Sequence, residues 1–118
     1  MLISLKGKKT GRFITTPVSY YRDGTILWVL SSRERTWWRN FRDGSSVTLR
    51  LCGQNVEAFG EAILDETEVK EKLKDILTQF PFMAHSLGVR MNGTRQPDPD
   101  DVARAAREHL FVRIMPKT

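Results

Sequence analysis

Residues 13–21 read Phe13-Ile14-Thr15-Thr16-Pro17-Val18-Ser19-Tyr20-Tyr21 and residues 25–30 read Thr25-Ile26-Leu27-Trp28-Val29-Leu30, with Asp23-Gly24 between them. Both runs are rich in β-branched and aromatic residues, which suit strands. Asp-Gly between two such runs predicts a hairpin. Pro17 has no N–H to give to a ladder, so it marks an edge or a bulge rather than a central strand position. The first arm is therefore expected to be interrupted, and bulges often sit beside binding sites.

Working outward, Ser31-Ser32 can cap a helix, and the stretch 34–43 sets Trp37 four residues from Phe41 and Trp38 four from Arg42, the spacing of a short helix ended near Gly44. Val47, Leu49 and Leu51 alternate with Thr48, Arg50 and Cys52, a half-buried strand, and Gly53-Gln54-Asn55 supplies a turn into a returning strand over 56–64. Asp65 with Glu68 resembles a capping box, and Val69, Leu73, Ile76, Leu77 and Phe80 recur at helical spacing up to Pro81. After a loop over 92–101, Asp98-Pro99 opens a helix through Glu108, and 109–115 alternates as a closing strand. The order strand, hairpin, short helix, hairpin, helix, helix, strand predicts a mainly β, α+β chain. Strand and helix do not alternate regularly, so a small barrel decorated by helices is expected in place of a doubly wound sheet. At 118 residues, one domain over the whole chain is the expectation.

Forty per cent of the residues are hydrophobic and 28% are charged, an ordinary globular balance. No apolar run approaches the roughly 20 residues of a membrane span, and Met1 to Lys6 lacks the apolar stretch of a secretory signal, so a cytoplasmic protein is expected. The single cysteine, Cys52, has no internal disulfide partner and reads as a small buried hydrophobe in a strand. No Cys or His cluster has metal-ligand spacing. His85 and His109 lack a carboxylate or serine partner at a recognisable spacing, and Asp98, Asp100 and Asp101 read as helix-cap acids. No catalytic residue is therefore assigned.

The formal charge is +5, and residues 1–50 carry ten basic side chains against three acidic ones, which points to an anionic partner for the first half. Its sharpest feature is Lys6-Gly7-Lys8-Lys9-Thr10-Gly11-Arg12. Glycines let backbone N–H groups turn toward an anion, and Lys, Arg and the Thr hydroxyl add charge and donors, so the loop can cradle a phosphate. The glycine spacing is wrong for a Walker A loop, and the bland alternative is a solvated basic turn. The second feature, Thr36-Trp37-Trp38-Arg39-Asn40-Phe41-Arg42, can pack rings on a fused-ring ligand while Arg and Asn fix polar groups. Its bland alternative is that Trp37 and Phe41 are core.

Together these residues resemble the split-barrel flavin and deazaflavin oxidoreductases, in particular the deazaflavin-dependent nitroreductase family. The matching pieces, in order, are Gly7-Lys8-Lys9-Thr10-Gly11, Thr15-Thr16-Pro17-Val18, Asp23-Gly24, Ser31 and Trp37-Trp38-Arg39-Asn40-Phe41-Arg42, and the likeness runs from about Ser4 to Leu64. The resemblance implies an FMN-binding-type split β-barrel with inserted helices, holding FMN or a deazaflavin of the F-420 type. It implies that Lys8, Lys9, Thr10 and Arg12 contact the cofactor phosphate, that the backbone around Thr16, Pro17 and Val18 lines the ring, and that Ser31, Trp37 and Asn40 complete the pocket. Hydride then passes between the ring and a small acceptor such as a quinone or nitro compound, with the chemistry in the cofactor, and the protein is expected to be a homodimer. The chain differs from the family at Ile14, where an Arg is usual, in a shorter segment from Ser31 to Trp37, and at Phe82, Met83 and Ser86, where tyrosines are usual.

Two other readings use the same residues. A nucleic-acid-binding barrel would place Lys8, Lys9, Arg12, Arg33, Arg35, Arg39 and Arg42 on phosphates and stack bases on Trp37 or Trp38, but it leaves Thr-Thr-Pro-Val without a role. A carrier that holds a flavin without turnover is the other.

Overall fold

The computed structural model describes residues 1–6, 11, 13–94 and 96–117. In chain order these form β1 (Leu2–Lys6), β2 (Phe13–Pro17), β3 (Tyr20–Asp23), β4 (Ile26–Ser32), a 3₁₀ turn (Trp37–Phe41), β5 (Ser45–Leu51), β6 (Gln54–Ile63), α1 (Glu66–Gln79), a second 3₁₀ turn (Pro81–Met83), α2 (Ala84–Leu87), α3 (Pro99–Glu108) and β7 (His109–Pro116). The fold is mainly antiparallel β with inserted helices. The residues group into two compact units, one of Met1–Ser31, Arg35–Ile63 and Phe111–Thr118, the other of Ser32–Glu34 and Leu64–Leu110.

In the first unit, the seven strands form one sheet in the order β2-β1-β5-β6-β7-β4-β3. Its two edge strands, β2 and β3, are neighbours in the chain, joined only by Val18 and Ser19. Strands lie about 4.8 Å apart, so a flat sheet of this size would separate its edges by nearly 30 Å. Two linking residues reach about 11 Å at most. The sheet must therefore curl until β2 and β3 meet at that end, yet among the described residues no strand ladder joins the two edges. The result is a half-closed barrel with an open seam between β2 and β3.

This changes the reading of residues 13–21. The expected single interrupted arm is two strands on opposite edges: β3 makes the Asp23-Gly24 hairpin with β4, while β2 pairs with β1, Thr16 opposite Ile3 and Pro17 opposite Leu2. Pro17 is tolerated because it sits on an edge strand in a non-bonded pair with Leu2, where its missing N–H would face away from β1, and the ladder resumes at Val18 and Met1. The β5–β6 turn also moves. Its two tip residues are Cys52 and Gly53, both with positive φ (51° and 78°), as a two-residue hairpin turn requires. Gln54 and Asn55 belong to β6, and Cys52 is exposed at the tip instead of buried in a strand.

Alternation then separates the faces. Ile3, Leu5, Leu27, Val29, Val47 and Leu49 are buried on the concave side with Ala58, Val112 and Ile114. The 3₁₀ turn packs on β6 at Gly60, where an added Cβ would fall 2.6 Å from Phe41 Cε1. Only glycine leaves room there for the Phe41 ring.

In the second unit, the Asp65 carboxylate accepts from the Glu68 amide and caps α1, and Asp98 accepts from the amides of Asp100 and Asp101 and caps α3. The helices pack on each other through Val69, Leu73, Ile76, Val102, Ala105 and Ala106. Asp101 is more than the cap acid that sequence suggests. Its side chain is 8% exposed, and it accepts from the Arg90 amide at 3.0 Å and the Arg90 Nε at 2.9 Å, with Arg104 NH1 at 3.4 Å. It thereby ties the loop after α2 to α3. The hydrogen bonds from the Arg90 guanidinium, then from its amide, hold the Asp101 carboxyl below its ordinary value against the opposing pull of burial. A depressed carboxyl stabilises the fold above its unfolded value, near 3.9, and that stability is lost as pH falls through the folded value. The urea midpoint should thus drop on acidification below about pH 4, and Asp101→Asn should remove part of that drop. An Asp101→Asn protein as acid-sensitive as the wild type would refute the tie.

Among the described residues, no helix is long and apolar enough to cross a membrane.

Candidate functional site

The expected phosphate residues Lys8, Lys9, Thr10 and Arg12 lie outside the described residues. In the sequence they fall between the end of β1 at Lys6 and the start of β2 at Phe13.

The β2 edge can be resolved group by group. Val18 N donates to Met1 O at 2.9 Å, and the Met1 amino group returns a bond to Val18 O at 3.4 Å. In an antiparallel ladder such mutually bonded pairs alternate with unbonded ones. Ile3 and Thr16 are therefore the next bonded pair, and the Thr15 N–H, the Thr15 C=O and the Pro17 C=O turn away from β1. Because β2 has no other strand neighbour, these three groups face the seam unpaired among the described residues. Side chains follow the opposite alternation. Thr16 and Val18 share the concave face with Ile3, whereas Thr15 and Pro17 are exposed on the convex face, with Thr15 Oγ1 and Ser4 Oγ 2.9 Å apart. Thr16 and Pro17 thus present side chains to opposite sides, and what they share at the seam is backbone.

Ser31 follows Leu27 and Val29 on the concave face of β4 and is 5% exposed. Trp37, Trp38 and Phe41 are all buried in the first 3₁₀ turn, which replaces the short helix expected there. The Trp37 and Phe41 rings meet edge to face at 5.9 Å. Core packing therefore claims both indoles, more than the sequence suggested. The half-buried Asn40 donates from Nδ2 to the Trp37 carbonyl at 3.0 Å and braces its own turn. Arg39 and Arg42 set their guanidinium carbons 5.9 and 5.2 Å from the centroid of the Trp38 ring, within cation–π range.

Arg33 has a role that no local signal announces. Its Nε donates to His109 O at 2.9 Å, and its NH2 donates to Leu64 O at 2.8 Å and Ala106 O at 3.1 Å. Each acceptor is distant in sequence, so spacing could not reveal the clamp. Arg33 is committed to carbonyls and is not a free phosphate contact. His109 Nδ1 lies 3.0 Å from Ala105 O at the end of α3, and His85 is exposed, in keeping with packing and surface roles. A cleft of about 110 Å³ between α1 and α3, lined by Glu66, Thr67, Lys70, Ala103, Ala106 and Arg107, is too small for a ring cofactor.

Compared with known proteins, the chain matches no protein-family model and no curated protein. It is similar to solved structures. One is described as an "F420 Reductase", with a TM-score of 0.51 and 13% identity over 99% of this chain and 85% of that one. Another is the flavocytochrome Anf3 from Azotobacter vinelandii, with a TM-score of 0.53 and 15% identity over 99% of this chain. The chain spans 62% of the flavocytochrome's length. Likeness at such identities speaks for the fold: this chain has the split β-barrel fold of flavin and deazaflavin oxidoreductases.

Proposed function

We propose that the chain is one split-barrel domain over residues 1–118 that binds a phosphorylated flavin or deazaflavin, FMN or the F-420 type, and supports hydride transfer between its ring and a small organic acceptor, such as a quinone or nitro compound. The observation that carries this reading is the open seam, with Thr15 N–H, Thr15 C=O and Pro17 C=O unpaired on an edge whose neighbouring segment resembles the flavin-binding family. A heteroaromatic ring edge that both donates and accepts hydrogen bonds suits such a row. Lys8, Lys9, Thr10 and Arg12, on the adjoining loop, hold the phosphate. Thr16 and Val18 bound the ring on the concave side, with Ser31, Trp37 and Asn40 backing the pocket. The cofactor, when bound, supplies the hydride chemistry. The chain's residues position the ring and exclude water. We further propose a homodimer, and a cytoplasmic location supported by the lone exposed Cys52.

Absorbance titration with each cofactor tests the reading. Saturable binding at about 1 μM or tighter is expected, weakened about tenfold or more by Lys9→Ala, the loss of one charge-assisted phosphate contact. If neither cofactor binds while single-stranded DNA or RNA binds with strong salt dependence, the nucleic-acid reading takes its place.

A further inference from the structure

We propose that the turn Trp37–Phe41 is a second anion site, in which Arg39 and Arg42 take a phosphoryl group against Trp38. Both side chains are exposed, both guanidiniums lie over one indole ring, and neither has an ion pair among the described residues. Asp43, the next residue in the chain, is exposed and forms no ion pair with Arg42 among the described residues. Two like charges held by one ring repel each other. The ring's face attracts each of them without cancelling that repulsion.

The second observation is independent of the charges. Trp38 is 4% exposed, and its Nε1 is buried with no hydrogen-bond partner among the described residues. Buried indole N–H groups normally find an acceptor, and a buried donor without one is costly. The turn thus carries two forked cations over an indole whose own N–H has no acceptor, and neither guanidinium has an ion-pair partner among the described residues. Guanidinium forks match a phosphoryl group bidentately, and its charge of about −1.5 to −2 at neutral pH balances the pair, whereas one carboxylate balances only half. None of Arg39, Arg42 and Trp38 is assigned to the cofactor by the flavin reading.

The test uses the full chain, ¹⁵N-labelled, in low-salt buffer, titrated with inorganic phosphate and with pyrophosphate while the indole N–H resonances are followed. The Trp38 resonance is assigned with Trp38→Phe. A saturable shift of that resonance is expected, weakened about tenfold or more in Arg39→Gln/Arg42→Gln and changed less than about twofold in Lys8→Gln/Lys9→Gln. Unchanged Trp28 and Trp37 resonances report that the arginine variant is folded. If they move, Arg42→Lys, which keeps the charge and loses the fork, is used in its place and is expected to weaken binding. Absence of a saturable shift overturns the proposal. So does equal binding by the arginine variants, loss of binding in the lysine variant, or glutarate binding as tightly as phosphate. Flavin titration is read at the ring's own absorbance, so either proposal can fail without the other.

Discussion

Replacing Phe41 by alanine is expected to cost about 3–5 kcal/mol of folding stability, the range for truncating a fully buried aromatic. Phe41 has 0% exposure, meets Trp37 edge to face, and rests on the bare backbone of Gly60. Its removal leaves a ring-sized void beneath a turn held to the sheet through that contact. Trp37 and Asn40 ride on the same turn, so cofactor affinity should fall with stability. Gly60→Ala attacks the contact from the other side. The new methyl displaces the Phe41 ring, and overpacking of this kind costs about 1–3 kcal/mol. Urea unfolding of both variants checks this, and a Phe41→Ala protein within about 1 kcal/mol of wild type would show that the turn is anchored elsewhere.

The second large effect is expected at Arg33. Arg33→Ala should lose roughly 2–4 kcal/mol, because bonds from a charged donor are worth about 1.5–3 kcal/mol each and the half-buried carbonyls recover part of this from water. The acceptors are Leu64 O, Ala106 O and His109 O. Ala106 lies in the last turn of α3, whose final carbonyls have no partner within the helix and carry partial negative charge. Lysine keeps the charge but replaces the planar fork with a single point donor, so Arg33→Lys should restore only part of the loss. If thermal melts place Arg33→Lys level with the wild type, charge alone would account for the clamp. The structural use of Arg33 also weakens the nucleic-acid reading, which counted it among the phosphate contacts.

What was legible from sequence was local chemistry. Asp65 and Asp98 announce their helices because a cap bonds amides two or three residues away, and both caps are present. The alternation in 47–51 announces β5 because burial on one face repeats every second residue. Asp23-Gly24 announces its hairpin for the same local reason. The order of motifs from Lys6 to Arg42 pointed to the split barrel that the solved structures share.

Sequence by itself therefore determined the class of the fold and most of its elements. Tertiary structure alone decided that residues 13–21 divide between two opposite edges, that Cys52 stands at a turn tip, that both tryptophans of the turn are core, and that Arg33 and Asp101 are structural ties. Each of these depends on partners far along the chain: β1 lies between β2 and β5, and Arg33 reaches residues 64, 106 and 109. Local propensity carries no information about which distant strand or carbonyl will arrive, because that choice is made by long-range packing within each unit.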